Sequence, residues 1–249
     1  VEGLIDSDVV VGYPFPLTKE HYTISIKGLR ELSGAPLEGE EVGHAPDVAD
    51  QHEAKEEGRT SRAHYIDVLV KDIEKLDEGE WLNDTLIDFF MQWMVRNETS
   101  NLCHVFTTHF YTRLEKQGPE AVTRWTSKKK INIFELKVIF VPINLNLHWS
   151  CCIIVNPGEI LNHIEKLETK ADFENSDDRR PCILFFDSLR MHAPRTIQKH
   201  VLLWLNSEWK RLERPIPGKR ENVFTKNTME LFRPEVTRQR NFSDCGVFC

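Results

Sequence analysis

Three short runs of β-branched, aromatic and other apolar residues most strongly constrain how this chain of 249 residues folds. They read KVIFVPI from Lys137, WSCCIIV from Trp149 and CILFFD from Cys182, and polar segments bound each of them. Such runs are typical of strands buried in a sheet. Helical patterns flank them: WLNDTLIDFFMQWMVRN begins at Trp81 and RTIQKHVLLWLNSEWKRL begins at Arg195. Strands set between helices without regular βαβ alternation predict an α+β fold with a central sheet.

The first of these helices is predicted to be a buried core helix. Asn83 or Asp84 can cap its first turn. Its broad apolar face is formed by Leu86, Ile87, Phe90, Met94 and their neighbours. A further helix is predicted over about residues 103–116 from the pattern of apolar side chains.

Charge is distributed unevenly along the chain. Residues 1–60 carry 13 acidic and 5 basic side chains, whereas the rest carries 26 and 27. Segment 37–62 is acidic, aperiodic and poor in aromatic residues, which is typical of disorder. We therefore predict an acidic, partly disordered N-terminal extension over residues 1–62 and a folded domain over residues 63–249. That domain lacks the basic field that favours nucleic acid, and no apolar run approaches the length of a membrane span.

Six cysteines and ten histidines suffice in number for a disulfide framework or a metal centre. No two cysteines form a CxxC pair, and Cys151 and Cys182 lie within strand-like runs. This pattern indicates buried thiols in a reducing compartment rather than disulfides. The histidines show no metal-ligand spacing with the cysteines, so we predict neither a metal site nor a cofactor.

Three polar residues lie at predicted strand ends or turns, where proteins commonly present catalytic groups. His148 precedes a strand, Asp187 ends one, and Cys245 follows the loop RQRNFSD. Each alone also has a structural explanation, as a framework histidine, a capping aspartate or a small core thiol. Together they are the parts of a cysteine nucleophile, its base and the residue that orients the base. With Asp244 at a helix cap, Cys245 in the first turn would be favoured as a thiolate, and Gly246 would leave room beside it.

The motifs WLNDTLIDFF, HWS, FFDSL and QRNFSDCG occur in this order, over about residue 67 to the end of the chain. Together they resemble the ubiquitin-like-protein protease family, the SUMO-specific cysteine peptidases. The resemblance implies a papain-like or adenain-like fold with a mixed sheet between helices. It also implies a monomeric thiol protease that cleaves after the Gly-Gly tail of SUMO and has SUMO or SUMO-conjugated proteins as partners. Such an enzyme is expected in the nucleus or the cytoplasm.

The resemblance further implies a role for each catalytic residue. Cys245 would attack the carbonyl of the tail's last glycine, and His148 would take the thiol proton and return it to the leaving amine. Asp187 would hold the tautomer of the imidazole. Gln239, six residues before the cysteine, would donate its amide to the oxyanion together with the Cys245 N–H.

Two tryptophans and an insertion complete the comparison with the family. Trp81 and Trp149 match the aromatic pair that encloses the Gly-Gly tail, so Trp149 is expected to line a cleft rather than fill the core. His148 and Asp187 are 39 residues apart because of a charged insertion over about residues 156–180. This insertion resembles the long-loop branch that trims SUMO chains. Because it is polar, we expect little of the core to depend on it.

Alternative functions remain open from the sequence. A deneddylase or another ubiquitin-like hydrolase would use the same cleft. A catalytically inactive module that binds ubiquitin-like proteins is disfavoured by the intact catalytic set, and a metal or redox protein has no cysteine spacing in its favour. Members of the family continue past DCGVFC with a core helix. We therefore expect this chain to be a C-terminally truncated fragment with little activity of its own.

Overall fold

The computed structural model describes residues 22–25, 65–98, 102–169, 179–235 and 237–249. Residues 1–73 and 74–249 form two compact units. The predicted disorder of segment 37–62 lies outside the described residues, and the predicted domain boundary after residue 62 stays a prediction. No helix among the described residues is long and apolar enough to cross a membrane.

In the first unit, a short pair of strands precedes a single helical turn. Strand β1 (Tyr22–Ser25) pairs antiparallel with β2 (Tyr65–Val68). Helix α1 (Val70–Ile73) follows, and the Asp72 carboxylate accepts a hydrogen bond from the Leu69 N–H at 2.9 Å. This bond satisfies one of the backbone donors that a helix leaves open at its first turn.

The second unit is built on a five-stranded mixed sheet. Its strands, in spatial order, are β3 (Cys103–Val105), β4 (Val138–Leu145), β5 (His148–Val155), β6 (Cys182–Phe186) and β7 (Glu230–Phe232). The three central strands are antiparallel to one another, whereas each edge strand runs parallel to its neighbour. The three strands that the sequence predicts are the three central ones, and the predicted mixed sheet is confirmed.

Helices cover this sheet, and short 3₁₀ turns connect the elements. The helices are α2 (Asp84–Glu98), α3 (His109–Gln117), α4 (Thr123–Ser127), α5 (Ile160–Thr169) and α6 (Pro194–Arg211). The helix predicted from residue 103 is wrong in its first part, because Cys103–Val105 pair with β4 and α3 begins only at His109. Sheet pairing decides the structure of such a short apolar run, whose sequence suits either element.

One face of the sheet forms the main core. Alternate residues of β4, namely Ile139, Val141 and Ile143, are fully buried in it, as the two-residue period of a strand requires. Residues of α3, α5 and α6 pack against this face. The rings of Phe106 and Phe110 stack with centroids 3.9 Å apart, and Trp204 of α6 meets both of them edge-on. The aromatic contacts therefore fix α6 to the start of α3.

Helix α2 covers the opposite face of the sheet. The Asn83 side chain accepts the Leu86 N–H at 3.1 Å, so of the two predicted caps it is Asn83 that acts. Ile87 and Met91, one turn apart, are buried against the sheet together with Cys245. The predicted apolar face is wrong at its far end, since Met94 is 51% exposed. Within residues 84–95, burial is confined to the first turns of the helix.

The first half of the charged insertion contributes to the core, contrary to the prediction. It forms α5, in which Ile160 and Ile164 lie one helical turn apart and are buried in the main core, and His163 is buried beside them. The apolar side chains are few but recur at helical spacing, so one face of a polar segment packs inward. Residues 170–178 of the insertion lie outside the described residues.

Truncation of a core residue in α5 should therefore destabilise the protein. We expect Ile164→Ala to lower the free energy of unfolding by about 2–5 kcal/mol, because a buried side chain is lost and a cavity remains. Leu167→Ala, at a position on the same helix that is 42% exposed, is the matched control and should change it by less than about 0.5 kcal/mol. Urea denaturation followed by circular dichroism measures both values. Equal effects of the two changes would contradict a core role for α5.

Candidate active site

A tight hairpin turn places His148 at the start of β5. The last backbone pair of β4 and β5 is Leu145 with His148, and only Asn146 and Leu147 lie between them. Both turn residues have positive φ, at 53° and 59°, as a two-residue type I′ hairpin requires. The His148 side chain is buried, with 2% of its residue surface exposed.

Asp187 follows the last residue of β6 and faces this histidine. Its Oδ1 lies 2.8 Å from Nε2 of His148. The same carboxylate accepts backbone N–H groups of Leu189, Arg190 and His192. Burial alone would raise the pKa of Asp187, but the hydrogen bonds from His148 and from the His192 N–H outweigh it and lower the pKa. Asp187 is therefore an ionised acceptor.

The bond to Asp187 settles the tautomer of His148. A carboxylate only accepts, so Nε2 carries the proton and Nδ1 of the neutral ring has a free lone pair. This Nδ1 is buried and has no hydrogen-bond partner among the described residues. An unpaired buried nitrogen costs free energy and is uncommon in folded proteins. The arrangement is that of a base held ready for a proton.

Cys245 lies in a short turn that packs against β5, the strand that His148 begins. The thiol residue is 2% exposed and belongs to a buried cluster with Trp149 and Cys151. The turn is a 3₁₀ turn, Asp244–Gly246, with Ser243 rather than Asp244 at its N-cap position. Three residues align too few peptides for an appreciable helix dipole. The prediction that a helix activates the thiol is therefore not supported, and His148 is the group suited to do so.

The side chain of Asn241 holds this turn in place instead of the predicted cap. Its Oδ1 accepts the backbone N–H groups of Ser243 at 3.2 Å and of Asp244 at 3.0 Å. An asparagine that bonds its own chain two and three residues further on forms a local turn without a helix. The loop before Cys245 is thus ordered by its own side chain.

Gly246 allows a close approach that any other residue would block. A Cβ at this position would lie 2.8 Å from Cβ of Leu82. The Leu82 carbonyl in turn accepts the indole N–H of Trp149 at 2.8 Å. The space beside the cysteine that the sequence suggests is therefore filled by the segment before α2. The glycine is needed for packing next to the nucleophile.

Gln239 connects the two loops that carry Asp187 and Cys245. Its side-chain oxygen accepts the hydroxyl of Ser188, and its Nε2 donates to the Asn241 carbonyl at 2.9 Å. An amide nitrogen has two N–H bonds, so one remains for a further acceptor. The structure therefore places Gln239 between the two catalytic loops, and its role toward an oxyanion stays a prediction.

The two tryptophans differ in exposure. Trp81 is 43% exposed, whereas Trp149 is 3% exposed. Trp149 packs with Ile87 and Met91 of α2 and donates its indole N–H within the protein. The expectation that the Trp149 ring lines an open cleft is therefore not what the structure shows, because α2 and the segment before it cover the ring. Binding of a tail by the two tryptophans stays a prediction.

Sequence reasoning missed His192, which lies in the loop after β6. Its ring centroid is 4.9 Å from that of His148, and the side chain is buried. One nitrogen of each ring and one carboxylate oxygen of Asp187 lie within 4.8 Å of one another, a spacing that could hold a metal ion. Hydrogen bonds already engage Nε2 of His148 and both nitrogens of His192. The only signal in the sequence was a second histidine five residues after Asp187.

Other thiols of this unit are less suited to act as nucleophiles. Burial raises the pKa of Cys152 to about 12. A hydrogen bond with Cys151, together with burial, raises the pKa of Cys249 well above its usual value. Cys182 is only partly buried, which corrects the expectation that it is an inert core thiol. Cys152 and Cys249 are therefore held as thiols, whereas Cys245 lies in the turn that packs against the strand that His148 begins.

A buried cysteine, an imidazole held by a carboxylate and a mixed sheet between helices define the class of papain-like cysteine peptidases. The family model of the Ulp1 protease family, C-terminal catalytic domain, matches residues 80–249. The chain belongs to this family.

Curated relatives agree with this assignment. Ubiquitin-like-specific protease 2 of Schizosaccharomyces pombe is 32% identical over 217 residues, which cover 76% of this chain and 32% of that protein. Human sentrin-specific protease 2 is 32% identical over 191 residues, which cover 76% of this chain and 28% of that protein. The chain thus spans about a third or less of the length of these relatives.

Solved structures of the family share the fold. The C-terminal Ulp1 protease domain in complex with Smt3, the yeast ortholog of SUMO, is 28% identical with a TM-score of 0.52, and the match covers 74% of this chain and 68% of that one. A de-sumoylating protease is 26% identical with a TM-score of 0.56, covering 75% of this chain and 66% of that one. The papain-like fold predicted from the motifs is confirmed.

Proposed function

We propose that residues 74–249 carry the catalytic site of a thiol protease that cleaves after the Gly-Gly tail of SUMO, in precursors or conjugates. One observation supports this proposal most strongly. Asp187 fixes the proton of His148 on Nε2 and leaves Nδ1 buried and available, on the strand against which the Cys245 turn packs. A module that only binds ubiquitin-like proteins has no need of this costly arrangement.

The first half of the reaction uses the base and the nucleophile. Nδ1 of His148 accepts the proton of the Cys245 thiol, and the thiolate attacks the carbonyl carbon of the tail's last glycine. The oxyanion that forms is stabilised by the Cys245 backbone N–H and by the remaining N–H of Gln239. Asp187 stays ionised and offsets the positive charge of the imidazolium.

The second half releases both products. The imidazolium of His148 donates its proton to the leaving amine as the carbon–nitrogen bond breaks, and a thioester to Cys245 remains. The neutral histidine then takes a proton from water, the hydroxide attacks the thioester, and the thiol is restored. The same nitrogen thus acts as base and acid in turn.

The choice of SUMO over other modifiers rests on the relatives. The curated relatives are named as ubiquitin-like-specific and sentrin-specific proteases, and one similar structure is a complex with the yeast ortholog of SUMO. Trp81, exposed and three residues before α2, is proposed to contact a tail that approaches Cys245. A deneddylase remains the alternative, because the chemistry of the site is the same for both modifiers.

Fluorogenic substrates distinguish these functions. We expect kcat/KM for a SUMO substrate with a C-terminal aminocoumarin to exceed that for the matching NEDD8 substrate by at least about 100-fold, or 2.7 kcal/mol. A higher kcat/KM for the NEDD8 substrate would show that the enzyme is a deneddylase instead. Binding of SUMO in a pull-down without turnover of either substrate would indicate a binding module. The Cys245→Ser variant serves as the blank in all of these assays.

Three narrower assignments are also part of the proposal. The long insertion is proposed to favour the trimming of SUMO chains, and comparison of poly-SUMO with mono-SUMO substrates tests it. The enzyme is proposed to act as a monomer, since catalysis as described uses residues of one chain. A location in the nucleus or the cytoplasm is proposed from the resemblance, and microscopy of the tagged full-length protein tests it.

A further inference from the structure

The backbone pairing that aligns β5 with β6 ends before it reaches the catalytic pair. The last paired residues are Cys151 and Phe186. His148 lies three residues beyond this point on one strand, and Asp187 lies one residue beyond it on the other. A separate set of contacts must therefore keep the carboxylate within 2.8 Å of the imidazole.

His192 supplies three such contacts. Its backbone N–H donates to Oδ2 of Asp187 at 2.9 Å. Its Nε2 lies 2.9 Å from the carbonyl oxygen of Leu145, the last residue of β4. Its Nδ1 lies 2.7 Å from the hydroxyl of Ser150 in β5. One residue thus joins the Asp187 loop to both strands of the hairpin that carries the catalytic histidine.

These partners limit the form of the ring. A carbonyl oxygen only accepts, so Nε2 of His192 carries a proton, and in the neutral ring Nδ1 accepts the hydroxyl proton of Ser150. His192 is 7% exposed, and burial lowers its pKa. The hydrogen bond to the Leu145 carbonyl acts in the opposite direction, as do Asp187 and Glu115, but burial together with the nearby His148 outweighs them. A neutral ring adds no second cation beside the imidazolium that forms during catalysis.

We propose that His192 is a positioning residue for catalysis, which as a neutral imidazole bonded to Leu145 and Ser150 holds the hairpin and the Asp187 loop together, so that Nε2 of His148 keeps its bond to Asp187 and Nδ1 stays free to accept a proton. The inference rests on the proposed function for its effect on turnover. Its effect on the thiol does not depend on which modifier is the substrate.

Alkylation of Cys245 by iodoacetamide tests the proposal without any substrate. In the 249-residue chain, we expect His192→Phe, which keeps the volume and removes both ring bonds, to slow alkylation by about 10–100-fold. His192→Gln retains a donor for the Leu145 carbonyl and should recover most of the rate. With the SUMO substrate, the loss in His192→Phe should lie in kcat, with KM nearly unchanged.

His200→Phe is the matched control. The His200 ring forms one hydrogen bond, with the hydroxyl of Tyr111 at 3.0 Å, and among the residues that the structure describes it forms none with a catalytic residue. We expect this change to lower the melting temperature and to leave the alkylation rate of Cys245 unchanged. If His192→Phe does not fold, the alkylation rates of Ser150→Ala and His192→Gln are compared instead. The proposal requires Ser150→Ala to slow alkylation as well.

Nitrogen-15 NMR gives a signature that a purely structural role would not predict. The Nδ1 of His192 should resonate as an unprotonated acceptor at pH 6.5, with the proton on Nε2. Wild-type alkylation rates in folded His192→Phe, or a charged His192 ring at this pH, would overturn the proposal. If His192→Phe slows alkylation while neither the 249-residue chain nor the full-length protein turns over SUMO, the role of His192 is supported and the proposed substrate is rejected.

Discussion

Cys245→Ser is expected to reduce cleavage of the fluorogenic SUMO substrate by at least about 10⁴-fold. A cysteine thiol is a few per cent ionised at neutral pH and is a strong nucleophile, whereas a serine hydroxyl is far harder to deprotonate. The single base of this site, His148, would have to supply that whole difference. Side-chain volume changes little, so the melting temperature should stay close to that of the wild type. Progress curves at enzyme concentrations up to the micromolar range measure the residual rate.

Cys249→Ser provides the matched control for this substitution. Cys249 lies four residues after Cys245. Its thiol donates a hydrogen bond to the Ser150 carbonyl at 3.3 Å. Its raised pKa keeps it protonated, so we expect nearly full activity. A SUMO vinyl-sulfone probe should label Cys245 and no other thiol. An adduct located by mass spectrometry on Cys103 or Cys249 would contradict the assignment of Cys245 as the nucleophile.

Asp187→Asn is expected to lower kcat by about 10³–10⁴-fold. The Leu189 and Arg190 N–H groups point at Oδ1, the oxygen that faces Nε2 of His148, whereas the His192 N–H points at Oδ2. The oxygen of the new amide would therefore take the Oδ1 position, and its NH₂ would face the His192 N–H. His148 would keep an acceptor but lose the negative charge that offsets its imidazolium, and two donors would oppose each other at the Oδ2 position. Stopped-flow or steady-state assays at pH 7.5 measure the loss.

Asp88→Asn separates this effect from the general loss of a buried carboxylate. Asp88 accepts two hydrogen bonds from Thr108, at 2.8 Å and 3.3 Å, and burial raises its pKa to about 6. Its oxygens accept no bond from the catalytic residues in the described part of the chain. Activity should therefore be unchanged. Equal losses in the two variants would show that Asp187 acts through folding rather than through its charge beside His148.

Much of the fold could be predicted from local patterns. The three central strands are predicted by apolar runs, which are typical of strands with one or two buried faces. Helix α6 is predicted by apolar residues at helical spacing. The catalytic residues could be named because each belongs to a short motif whose order resembles one family. These features depend on residues close together in the chain, so they are readable without the structure.

The errors in prediction share a different physical origin. Cys103–Val105 form an edge strand because their backbone pairs with that of β4. Helix α5 is part of the core because its apolar residues pack against one face of the sheet. Trp149 was buried because α2 and the preceding segment pack over it. In each case the sequence pattern allowed two outcomes, and contacts with distant segments selected one of them.

The residue types and the order of the motifs are therefore sufficient to predict the class of chemistry. That class is a cysteine nucleophile with a histidine base and an orienting aspartate. The protonation of that base is a property of the folded chain. Asp187 reaches Nε2 of His148 across 39 residues, and His192 braces the pair through bonds to Leu145 and Ser150. Hydrogen bonds of this kind depend on ångström-scale positions set by strand register and loop packing. No local pattern encodes them, because the partners meet only when the sheet has formed.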